Sequence, residues 1–85
     1  MKTQYNYFHF DLASVPVVKK DTQTWFCISN KYEYFLGVIK WFPKWRQYCF
    51  FPEEETVFSI GCMNDIVDFI NQLNEERKSN ETKTG

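Results

Sequence analysis

Residues Tyr34–Phe58 read YFLGVIKWFPKWRQYCFFPEEETVF, and this stretch decides the fold. An apolar, aromatic run ends at Phe42, a tip follows at Pro43-Lys44, and a second run continues to Phe51 before Pro52 and an acidic turn. Aromatic and β-branched residues favour a pleated, half-buried surface, so the pattern predicts a β-hairpin over 34–51. With Pro43-Lys44 as the tip, or with a four-residue loop of Phe42 to Trp45, Trp41 faces Arg46, Ile39 faces Tyr48 and Gly37 faces Phe50. Side chains alternate across a strand. One face then carries Phe35, Gly37, Ile39, Trp41, Arg46, Tyr48 and Phe50, and the other carries Leu36, Val38, Lys40, Gln47, Cys49 and Phe51.

Working outward, Tyr5–Phe10 (YNYFHF) reads as a first strand and Trp25–Ile28 (WFCI) as a second, closed by the turn signal Ser29-Asn30-Lys31. Between them, Asp11–Thr24 reads as an irregular connection with a short extended piece at Val15–Val18. After the hairpin, Thr56–Phe58 is expected as a short edge strand or a packed loop. Cys62, Ile66, Phe69, Ile70 and Leu73 recur at helical spacing and predict an amphipathic helix over about 62–78. Asn64 is a candidate cap, with Asp65 and Asp68 near the positive end and Arg77 and Lys78 near the negative end. The tail SNETKTG lacks apolar residues and is expected to be disordered. The fold class is therefore α+β, with about four antiparallel strands and one C-terminal helix in a single domain over 1–78. One helix covers one sheet face. The other must be covered by the Asp11–Thr24 segment, a second copy or a partner.

Composition narrows the function. Eighty-five residues bury a modest fraction of their surface, and nine Phe, five Tyr and three Trp supply a dense core instead of other staples. A net charge of −1 lacks the basic surplus of a duplex-DNA binder. No apolar run is long enough to span a membrane, and the opening MKTQYNYFHF does not read as a secretion signal. An intracellular setting is expected, where three cysteines stay reduced and act as small hydrophobes.

No sequence motif for catalysis or for a cofactor is recognisable. Cys27, Cys49, Cys62 and His9 lack the paired knuckle of a zinc site, and His9 with a cysteine lacks an orienting third group for thiol catalysis. No cofactor, no metal and no enzymatic activity are expected. Glu53-Glu54-Glu55 reads as a solvated turn, and it makes the hairpin acidic at one end and basic at the other. The candidate binding cluster is Lys40, Trp41, Lys44, Trp45, Arg46 and Tyr48, where rings and cations lie side by side. Such a set serves a single-stranded nucleic acid or a nucleotide through stacking and phosphate attraction, or a protein through Trp, Tyr and Arg anchors. It also serves the hairpin itself if Trp41 packs on Arg46. The helix discriminates between these readings. If it covers the Ile39/Trp41/Tyr48 face, as Gly37 favours by allowing close approach, the exposed patch is apolar and suited to protein contact.

The stretch LGVIKWFPKWRQYCFFPEEETVFSIGCMNDIVDFI resembles a group of short proteins of bacteriophages and bacterial mobile elements. Their pattern is L-G-x-I-x-W, then W-R-x-Y-x-F-x-P, T-V-F, a small residue with Cys, and D-I-x-x-F-I. It covers Leu36–Ile70, about half the chain, with Met63 where Leu is expected. The resemblance implies a small accessory protein working in the cytoplasm of a bacterial host, and many such proteins inhibit host defence or regulatory machinery. A host protein is the expected partner, with a homodimer and a nucleic acid or nucleotide as the further candidates.

Overall fold

The computed structural model describes residues 1–14 and 22–84, with side chains described to Lys78 in the final helix. Four strands form one antiparallel sheet in chain order: β1 (Phe8–Leu12), β2 (Trp25–Ser29), β3 (Phe35–Phe42) and β4 (Gln47–Pro52). One helix, α1 (Ile60–Thr84), follows. The α+β class, the strand number and the C-terminal helix agree with the sequence reading.

The helix docks on one sheet face through the predicted stripe. Ile66, Phe69 and Leu73 are buried, with Cys62 and Ile70 packed beside them. Phe69 stacks flat on Phe10 of β1, centroids 4.1 Å apart and planes at 9°, and meets Trp25 of β2 edge-on at 5.1 Å. Ile39 and Tyr48 complete this core from β3 and β4. Each such ring removes on the order of 150–250 Å² of surface from water, so a few aromatic contacts suffice to hold a chain of this size.

Several details depart from the sequence reading. The hairpin register is shifted: Trp41 pairs with Tyr48, Ile39 with Phe50 and Gly37 with Pro52, and the loop is Pro43–Arg46. A two-residue tip requires positive φ at its central residues, which the ring of Pro43 forbids. Pro43 instead takes the second position of a turn closed by Trp45 N–H to Phe42 O at 3.2 Å, and Arg46 adopts the left-handed region at φ 53°. A shift of two residues leaves the two faces of β4 unchanged.

A bulge does change a face. The register breaks between Cys27 and Ile28: Cys27 pairs with Gly37 but Ile28 with Phe35, so Leu36 is the extra residue. Leu36 therefore packs toward the core, and Phe35 swings to the opposite face, where it meets Phe26 edge-on at 5.6 Å.

Strand β1 starts three residues later than expected, because residues before it fold back. Phe10 N–H donates to Thr3 O, Tyr5 N–H donates to Phe8 O, and Gln4 bridges His9. Asn30 ties this fold-back to the end of β2, donating to Tyr5 O at 2.9 Å while its Oδ1 accepts from Gln4 Nε2 at 2.8 Å. Thr56–Phe58 forms no strand, and Phe58 packs edge-on against Phe50 at 5.3 Å. The helix begins at Ile60 and is capped by Ser59, whose Oγ accepts from Cys62 N–H at 3.2 Å. Asn64 is thus no cap, and the first turn contains no acidic residue. The helical backbone continues to Thr84, and the expected tail 79–85 falls where side chains lie outside the described residues. The extended piece at Val15–Val18 also lies outside them, as does half of the Asp11–Thr24 connection, a candidate cover for the second face.

Candidate functional site

The structure distributes the six candidate residues over three places. Trp41 and Tyr48 are cross-strand partners on the helix side, rings edge-to-face at 5.4 Å. Tyr48 is buried, and its hydroxyl accepts the Gln23 N–H at 3.1 Å, so it belongs to the core. Lys44 and Arg46 are exposed in the loop. Lys40 and Trp45 lie on the side away from the helix: the Lys40 ammonium sits 4.8 Å from the Phe51 ring centre, and Trp45 meets Phe42 edge-on at 5.0 Å. One continuous stacking platform is therefore not built from these six.

The expected Trp41–Arg46 pair is replaced. Arg77, from the C-terminal half of α1, places its guanidinium 4.2 Å from the Trp41 ring centre. Trp41, Arg46, Gln47, Asn74, Arg77 and Lys78 together line a groove of about 410 Å³ between the hairpin end and the helix. Sequence reasoning assigned Arg77 and Lys78 only to the helix dipole, since nothing local says which strand the helix end will reach.

The face away from the helix forms the second surface. Across it run the pairs Asp11–Phe26, Phe26–Val38 and Val38–Phe51, with His9–Ile28 and Ile28–Phe35 beside them. Among the described residues none on this face is fully buried, and Phe35 is 43% exposed and Trp45 67% exposed. Phe42 bridges Trp45 and Phe51, which stand at 5.0 and 5.9 Å from it. Apolar side chains on one open sheet face are unusual for an isolated antiparallel sheet, whose solvent side is normally polar.

The cysteines divide in the same way. Cys27 is buried in the core, close enough to Cys62 for the two thiols to influence each other, and Cys49 lies on the open face. Burial, with a smaller contribution from Cys62, pushes the Cys27 thiol up to about 12. His9 is also on the open face, with Nδ1 2.8 Å from Asn30 Oδ1 and Nε2 3.7 Å from Asp11 Oδ2. Among the described residues, no three His, Cys, Asp or Glu side chains gather as a metal would need. Among them too, no helix is long and apolar enough to cross a membrane.

No family model matches the chain, and no solved structure matches it. Over 43 residues it is 46% identical to the "Uncharacterized 9.3 kDa protein" of Acholeplasma phage L2. That similarity covers 51% of this chain and 55% of the phage protein, so the chain spans about half the length of the curated relative it matches. The chain is thus similar to a small phage protein, in keeping with the resemblance drawn from its sequence.

Proposed function

We propose that the chain is a non-enzymatic interaction module, encoded by a phage or mobile element, that binds and modulates a host protein in the bacterial cytoplasm. Inhibition of a host defence component is the specific form of this proposal, for a chain similar to a small phage protein. The observation that carries the reading is the side on which α1 docks. It covers the Ile39/Tyr48 face and leaves Phe26, Phe35, Val38, Phe42 and Phe51 on the other. Rows of partly exposed rings with an adjacent exposed Trp supply the anchors that dominate protein interfaces. Lys40 and Asp11 add charges that orient a partner without adding much affinity.

The test is capture from host lysate by the tagged wild-type chain beside Phe35→Asp and Phe51→Asp. A specific partner should be retained by the wild type and lost from both variants, which keep the wild-type circular dichroism and melting transition. Partner retention by both folded variants would remove the open face from the reading. Light scattering at two concentrations separates self-association: a mass that rises with concentration and returns to monomer in Phe35→Asp would assign the face to a second copy instead.

A further inference from the structure

The groove at the hairpin end lies on the other side of the sheet from the proposed interaction face, and its chemistry is different. Three of its six lining residues are cations, Arg46, Arg77 and Lys78, and two more, Gln47 and Asn74, are neutral amides. No carboxylate lines it among the described residues. The second groove along α1, of about 440 Å³, has the opposite sign, with Asp68, Glu75 and Glu76 in its wall. The helix therefore presents an acidic groove and a basic one, although the whole chain is nearly neutral at −1.

Arg77 is the organising residue. Its guanidinium carbon lies 4.2 Å from the centre of the Trp41 ring, a cation–π contact that holds the group at the groove. A planar donor edge held in this way matches two oxygens of a phosphate, where an ammonium acts as a point charge. Arg77 and Lys78 have contacts of their own in addition, so an anion adds to these or exchanges with them. Arg46 enters from the opposite wall because Pro43 forces the four-residue loop and puts residue 46 in the left-handed region, φ 53°. A volume of about 410 Å³ falls in the range of small-ligand sites.

We propose that the groove between the hairpin loop and the C-terminal part of α1 binds a phosphate-bearing small molecule of mononucleotide size. Arg46, Arg77 and Lys78 hold the phosphate, Gln47 and Asn74 supply amide hydrogen bonds, and Trp41 backs Arg77. This site does not depend on the open sheet face, so the two readings succeed or fail separately.

The experiment uses the full chain at about 100 mM salt, where exposed long-range attraction is largely screened. The indole N–H resonance of Trp41, assigned with Trp41→Phe, is followed during titration with adenosine monophosphate, adenosine, inorganic phosphate and single-stranded oligonucleotides of increasing length. The expected result is a saturable shift with the monophosphate, a weaker one with inorganic phosphate and none with adenosine. Arg46→Gln and Lys78→Gln, at exposed positions outside the core, should each weaken monophosphate binding about tenfold, the size of one lost charge-assisted contact. No saturable shift, equal response to adenosine, or affinity unchanged in both variants would overturn the proposal. So would affinity that climbs with oligonucleotide length, which would make the site a reader of strands.

Discussion

At the scale of single residues, Gly37 shows how much one position can hold. An added Cβ there would lie 2.7 Å from both Phe50 Cζ and Phe51 O, and the backbone sits at φ 157°. The Phe50 ring occupies the space that a side chain would need, and that ring in turn supports Phe58. Gly37→Ala is expected to destabilise the fold by about 1–3 kcal/mol, the usual range for overpacking. For a domain of this length, thermal melting should show a drop of roughly 4–8 °C per kcal/mol. A wild-type melting temperature would show that Phe50 moves aside at no cost. The glycine was legible in the sequence as a point of close approach, but the element approaching it was not. The helix was expected there; the occupant is a ring from the neighbouring strand. Phe35 and Leu36 carry the same lesson, because alternation assigns faces only until a bulge inserts a residue.

At the scale of elements, the N-terminal fold-back is joined to α1 by polar contacts. Gln72 uses its side-chain amide as a peptide would, accepting from Lys2 N–H at 2.8 Å and donating to Lys2 O at 3.0 Å. It also donates to the Tyr5 hydroxyl at 2.9 Å, and that hydroxyl donates to Asp68 Oδ2 at 2.7 Å. Tyr5 is buried against Phe8 and Phe10, so its ring serves the core while its hydroxyl ties the helix. Tyr5→Phe keeps the ring and removes both bonds. A loss of about 1–3 kcal/mol is expected, since one partner is a carboxylate. Amide hydrogen exchange in residues 2–5 should accelerate more than exchange in β3; equal acceleration of both would mean that the contact holds the whole sheet. None of this pairing could be read from YNYFHF, where β-forming composition pointed to one continuous strand. The helix stripe was legible because its period is local, and its start was placed two residues late because Ser59 was not read as the cap.

At the scale of the whole molecule, two groups link stability to alkaline pH. Burial raises the Cys27 thiol from about 9 to about 12, and burial together with Asp68 raises the Tyr5 hydroxyl above its ordinary value. Below pH of about 9, both states keep these protons and stability does not depend on them. Above it, the unfolded chain releases protons that the folded chain retains, so stability falls as pH rises. The Cys27 contribution is lost progressively from about pH 9 to about pH 12. Urea midpoints at pH 8 and pH 10.5 should show this decline, and Cys27→Ala should flatten it. A slope unchanged in Cys27→Ala would place the alkaline transition elsewhere.

The α+β class, the central hairpin, the amphipathic helix and a sheet face lying away from that helix were readable from the chain alone. These follow from the periods of 2 and 3.6 residues and from having one helix for two faces. The hairpin register, the bulge at Leu36, the fold-back of the first residues and the pairing of Arg77 with Trp41 emerged only in three dimensions. Each depends on two segments meeting in space. Pro43 sets the loop and thereby the strand partners. The docking of Phe69 on Phe10 then sets which turn of the helix reaches Trp41, and the meeting of Arg77 with that ring builds a basic groove from residues 36 positions apart in the chain.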